Sequence, residues 1–139
     1  MARGDAPAPL SRRQRRMVER AVDEAENTTG LQFCVYLGDT EGDPRAHAET
    51  LFVEAGLHTR PAVLLLVAPN RRRVELVTAP EARSRVDDDT CALAVGTMTR
   101  QFARGDIAGG LVAGLDLLAA AAGAAPTPPG GEELPDLLG

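Results

Sequence analysis

The sequence predicts an α/β domain: a small mixed sheet, made of a parallel β-α-β unit plus an antiparallel hairpin, with helices on both faces. Three observations predict it. Ala62-Val63-Leu64-Leu65-Leu66-Val67-Ala68 is an unbroken apolar run, the mark of a strand covered on both sides. Pro69-Asn70-Arg71-Arg72 then turns the chain into Arg73-Val74-Glu75-Leu76-Val77-Thr78, an antiparallel partner. Segments with helical apolar spacing stand before, between and after the strands, giving the order α-β-α-β-β-α-α.

Each element has a local reason. Ser11-Arg12-Arg13-Gln14 fits a capping box, in which the Ser11 hydroxyl takes a free backbone N–H and Gln14 reaches back. Met17, Val18, Ala21, Val22 and Ala25 follow as one stripe, and Gly30 ends the helix. In Leu31–Leu37 the odd positions are strongly apolar, which predicts a strand with one firmly buried face. A second helix is expected from about Arg45 to Ala55, with Ala48, Leu51, Phe52 and Ala55 on one side and Gly56 as its stop. After Thr78 a loop is expected, leading to Asp87-Asp88-Asp89 and a third long helix striped by Cys91, Ala94, Val95, Met98 and Phe102. Gly105 breaks that helix, and Asp106 caps a last one through Leu111, Leu115 and Leu118. Gly109-Gly110 and Gly114 read as close helix packing, because no strand precedes them as a phosphate loop requires. Residues 1–10 and 124–139 are expected to be tails around a single domain at 11–123, the second Pro/Gly-rich and acidic.

Composition excludes several chemistries. All 15 basic residues are arginines, so no Schiff-base, pyridoxal-anchoring or phosphate-loop lysine exists. The net charge of -5 is unevenly spread: about +4 over residues 1–20, -6 over 21–70, +1 over 71–110 and -4 over 111–139. An acidic chain with one basic end is a poor nucleic-acid binder, so no nucleic acid is expected. The Arg-rich first helix suits an anionic membrane surface or an acidic partner, with a plain solvated face as the alternative. Residues 1–9 lack the apolar stretch of a signal peptide, and Ile107–Ala125 holds Asp116 and four glycines, short of a spanning segment. The expectation is a cytoplasmic protein, with peripheral membrane association open to it. Cys34 and Cys91 fall inside regular elements and read as small apolar residues.

Two acidic groups are candidate cation sites. Asp39-Thr40-Glu41-Gly42-Asp43 resembles the start of a calcium loop, but the twelfth position is Thr50 where a bidentate Glu belongs. Asp87-Asp88-Asp89 crowds three carboxylates, which a cation relieves or a helix N-terminus uses as caps. The topology puts Thr78 and Gly30 at one edge of the sheet, so Asp87, Asp88, Asp89 and Glu26 are the candidate set for calcium or magnesium. Ser11, Ser84, His47 and His58 form no nucleophilic pair in the pattern, and no zinc-ligand spacing occurs.

Several features taken in order carry a resemblance. They are Glu26 to Gly30 before an apolar strand, Leu51-Phe52 ahead of Gly56-Leu57, and Val63-Leu64-Leu65-Leu66-Val67 with the Arg-rich hairpin. Val86-Asp87-Asp88, Phe102-Ala103-Arg104-Gly105-Asp106 and Gly109-Gly110-Leu111 complete it. Residues 11–122 resemble the TPM domain, the family of thylakoid-lumen acid phosphatase and photosystem-repair proteins, and in particular its actinobacterial branch of unknown function. The resemblance implies an α/β sandwich, divalent-cation binding in some members and acid phosphatase activity in plant ones. By position it makes Asp88 the acid of the family's Leu-x-Asp step, with Val86 its apolar partner, and Asp106 the acid after Phe-x-x-Gly. The sequence departs at Ala79-Pro80-Glu81-Ala82-Arg83, where the family has Gly-x-Gly-Leu-Glu; Arg83 reverses a charge. The function expected is therefore a non-catalytic module that binds a protein partner, in assembly or maintenance of a membrane complex. A cation-dependent phosphatase using Asp87 and Asp88, or a calcium-binding structural domain, is the alternative. In the acidic tail, Leu134, Leu137 and Leu138 have one-face helical spacing and could dock as a short helix, against simple disorder.

Overall fold

The computed structural model describes residues 10–125, which includes Leu10, Ala124 and Ala125 of the two expected tails; the rest of those tails, with Leu134, Leu137 and Leu138, lies outside the described residues. Within it the elements are α1 (Arg12–Thr29), β1 (Gln32–Leu37), α2 (Pro44–Glu54), β2 (Ala62–Ala68), β3 (Arg73–Thr78), α3 (Pro80–Arg83), α4 (Asp88–Ala103) and α5 (Ile107–Ala122). The sheet order is β1-β2-β3, with β1 parallel and β3 antiparallel to the central β2.

The apolar run of β2 is explained by where its side chains go. Val63, Leu65 and Val67 enter a core shared with α1, α4 and α5. Ala62, Leu64, Leu66 and Ala68 enter a second core with Ala48 and Phe52 of α2. Every residue of β2 is buried, because a period of two sends alternate side chains into opposite layers and both layers are occupied. Full burial of a leucine such as Leu65 or Leu66 stabilises the fold by roughly 2–3 kcal/mol.

The caps form as the residues dictate. Ser11 and Gln14 close a reciprocal capping box, and Gly30 ends α1 at φ 75°, a left-handed conformation that favours glycine. Asp43, Asp87 and Asp106 cap α2, α4 and α5 through the N–H groups of Ala46, Thr90 and Gly109. Close α4–α5 packing is also realised: a Cβ built on Gly114 meets the Met98 sulfur at 2.6 Å, and Phe102 covers Gly110.

Two local readings are corrected. The expected loop after Thr78 contains the helical turn α3, started by Pro80 at its first position, where a fixed φ and a missing N–H cost nothing. Short 3-10 segments also precede β2 at Leu57–Thr59 and join β2 to β3 at Pro69–Arg71, the second closed by Arg72 at φ 53°. And β1 lacks a firmly buried face: Leu31, just before it, and Phe33 are buried, whereas Val35 and Leu37 are half-buried. Their alternation is real, but β1 is an edge strand, and α1 leaves the outer end of that face open.

Candidate functional site

The predicted cation-site residues do not come together: Asp88 lies beside β3, whereas Glu26 is on the β1 edge. Asp87 accepts the Thr90 N–H at 2.9 Å as the α4 cap. That hydrogen bond, together with a side-chain hydrogen bond to Thr90, holds its carboxyl below the usual carboxylate range. Asp88 and Asp89 occupy the first turn of α4, at the positive end of its dipole. Glu26 turns instead toward the sheet and accepts the Phe33 N–H at 2.9 Å. Among the described residues no three His, Cys, Asp or Glu side chains gather closely enough to share a metal ion.

The convergence of the α4 approach on the Glu26–Thr29 turn does occur, through a residue the sequence reading passed over. Arg85 donates to the Thr29 carbonyl at 2.6 Å and to the carbonyls of Ala122, Gly123 and Ala124 at 3.1, 2.9 and 3.0 Å. The carbonyl ends of α1 and α5 thus meet on one guanidinium, whose positive charge suits two negative dipole ends. The only signal in the sequence was an arginine just before a capping Asp.

The first acidic group is likewise structural. Asp43 caps α2, and the Thr40 backbone is held by Asn70, whose amide accepts its N–H at 3.2 Å and donates to its carbonyl at 3.0 Å. His47 stacks at a tilt on Tyr36, ring centroids 5.5 Å apart. Cys34 packs toward the α2 core and Cys91 toward the α1/α4/α5 core, so the sheet lies between them. Burial pushes both thiols up, aided for Cys91 by Asp88 and Asp87. Both are therefore poor thiolates at neutral pH.

Among the described residues, the two sheet edges are left open. On β3, Arg45 of α2 donates to the Leu76 carbonyl at 2.7 Å, so the even-numbered residues Val74, Leu76 and Thr78 turn their backbone groups outward. Arg45 also pairs with Glu49 and Glu75, and Arg73 with Glu75. A hollow of about 630 Å³ runs along this edge, lined by Val74 to Thr78, Arg83, Asp88 and Cys91 among others. Arg83 and Asp88 thus share that edge. At the two ends of β1, Gln32 and Gly38 donate their N–H groups to the carbonyls of Pro61 and Val67, so Phe33, Val35 and Leu37 turn theirs outward. Glu26 closes the first of these. Beside Val35 and Leu37 lies a groove of about 410 Å³, with Leu10, Val18, Val22 and Leu111 on its walls and Arg15, Glu19 and Asp23 on its rim.

Among the described residues, a three-stranded mixed sheet with α1, α4 and α5 on one face and α2 on the other defines a small α/β module with two exposed strand edges. Residues 3–119 match a family described as "Domain of unknown function (DUF5130)", and the chain belongs to it. It is similar to the "Uncharacterized protein Rv2468c" and "Uncharacterized protein MT2543" of two Mycobacterium tuberculosis strains, each 28% identical over 103 residues covering 74% of this chain. The chain spans 61% of the length of those relatives. Among solved structures it is similar to the BA42 protein of Bizionia argentinensis (TM-score 0.76, 22% identity, 88% of this chain and 86% of that one). It is also similar to the N-terminal domain of cg2496 protein from Corynebacterium glutamicum (TM-score 0.67, 12% identity, 86% of this chain and 81% of that one). These likenesses show the fold. Among the described residues no helix is long and apolar enough to cross a membrane.

Proposed function

We propose that the chain is a non-catalytic, TPM-like protein-binding module serving the assembly or upkeep of a larger complex. One observation carries this reading: among the described residues the sheet ends on both sides in open strand edges, each beside a hollow partly walled by apolar side chains. Such edges are templates for pairing with another chain unless they are blunted. Of the carboxylates a phosphatase would use as ligands, Asp87 caps α4 and Asp88 sits in its first turn, and Arg83 stands where the TPM pattern has an acid. Arg12, Arg13, Arg16 and Arg20 are exposed along α1 and supply the cationic face for a complex at an anionic membrane.

Hydrolysis of p-nitrophenyl phosphate, measured with and without calcium or magnesium, tests the reading. No turnover in any condition is expected. Cation-dependent turnover lost in Asp88→Ala would replace it with the phosphatase. A calcium-dependent rise in melting temperature lost in the same variant would replace it with the cation-binding domain.

A further inference from the structure

We infer that the groove between α1 and β1 receives one extended, basic segment of a partner protein, which adds to the sheet as a strand beside β1. The inference rests on the protein-binding reading above and gives it a surface and a partner chemistry.

The geometry begins with a mismatch of widths. On one face α1 packs on α5 and α5 on α4. Three helices at about 9–10 Å spacing span about 20 Å between outer axes, whereas three strands at about 4.8 Å span about 10 Å. The outer helix α1 therefore overhangs β1. Glu26 marks the overhang, since its side chain comes down onto the outward N–H of Phe33. Further along, Val35 and Leu37 have outward backbone groups and, among the described residues, no such cover, and their side chains share the groove with Val18, Val22 and Leu111. Backbone donors and acceptors beside an apolar wall, under a helical roof, match what an added strand needs: main-chain pairing plus pockets for alternate side chains.

The same overhang selects the occupant. Two copies meeting β1 to β1 would drive their α1 helices into one another, because neighbouring strands stand at half the helix spacing. A single extended segment, with no helix of its own above it, fits beneath. Its charge follows from the rim. Glu19, Asp23 and Glu26 recur at i, i+4 and i+7 on α1 toward the Phe33 end, with Arg12 and Arg15 on the same stripe toward the Leu37 end; of these, Arg15, Glu19 and Asp23 border the groove. A segment with apolar side chains on the groove side, and Lys or Arg toward the Phe33 end, is complementary to it.

The test uses the full chain and a fluorescein-labelled heptapeptide alternating valine and lysine, with a valine–glutamate counterpart as control. Saturable binding of the lysine peptide is expected, weakened by salt, with amide shifts at Val35 and Leu37. The glutamate peptide and the Glu19→Lys/Asp23→Lys variant should each bind about tenfold more weakly or worse. Both substituted positions are exposed, so folding is retained, and the variant should now prefer the glutamate peptide. Equal affinity for the two peptides would overturn the inference. So would shifts confined to Val74 and Thr78, which would move binding to β3 while leaving the protein-binding reading intact. Binding that appears only after removal of residues 1–9 would make the chain's own segment the occupant. A concentration-dependent dimer that shifts Val35 would assign the groove to a second copy. No binding of either peptide would reject the groove, whereas cation-dependent phosphatase turnover is what rejects the wider reading.

Discussion

The carboxylate of Glu26 accepts the backbone N–H of Phe33 at 2.9 Å, across the turn that joins α1 to β1. It seals the one outward donor of β1 next to the helix end and leaves Val35 and Leu37 as the open part of the edge. On the opposite edge Arg45 does the reverse job, donating to the Leu76 carbonyl. One side chain from each helical layer therefore blunts one point of each edge strand, and the rest is left for pairing.

Replacing Glu26 separates acceptor from charge. Glu26→Ala should cost about 1–2 kcal/mol in urea unfolding, because a half-covered N–H loses a charged acceptor. Glu26→Gln should recover part of it. Equal losses in both variants would mean that the charge, and not the acceptor, carries the effect.

Arg85 should be the most sensitive exposed-looking residue of the chain. Arg85→Ala leaves four carbonyls at the ends of α1 and α5 without their donor and should cost about 2–3 kcal/mol. Arg85→Lys keeps the charge but loses the planar fork, and should restore less than half. Amide hydrogen exchange should rise first in the last turns of α1 and α5.

Gly114→Ala should destabilise by about 1–3 kcal/mol, since the added methyl meets the Met98 side chain at 2.6 Å in a packed interior. In a double-mutant cycle Met98→Ala should relieve part of the clash, so the double variant should be more stable than the two losses summed. Strict additivity would place the strain elsewhere.

The Asp87 cap gives a pH signature. Its carboxyl is held below the usual carboxylate range by the Thr90 N–H first. The stability it adds is complete above the unfolded value of about 3.9 and is lost as the pH falls through the lowered folded value. Asp87→Asn keeps a capping oxygen and removes this titration. The difference in melting temperature between wild type and Asp87→Asn should therefore be constant at neutral pH and change only in acid. A change centred above pH 5 would contradict the assignment.

The sequence alone determined the elements and their order, because capping and periodicity are local. Ser11 with Gln14, Asp43, Asp87 and Asp106 act within four residues of themselves, and the β2 run states its two-sided burial without any partner being known. It also determined that Gly110 and Gly114 would be packing residues. It could not show that Val35 and Leu37 stay half-covered, because alternation marks a face and says nothing of whether a helix reaches its edge. Nor could it show Arg85 at the meeting point of α1 and α5, since that guanidinium reaches carbonyls 37 to 56 positions away from it in the chain. The acid cluster was legible as residues but not as roles: a carboxylate beside a helix start is a cap or a ligand according to what lies across from it. Only the tertiary structure decides that. It turned Glu26 to Phe33, set Asp87 on Thr90, and brought an arginine to the place where the sequence suggested a cation.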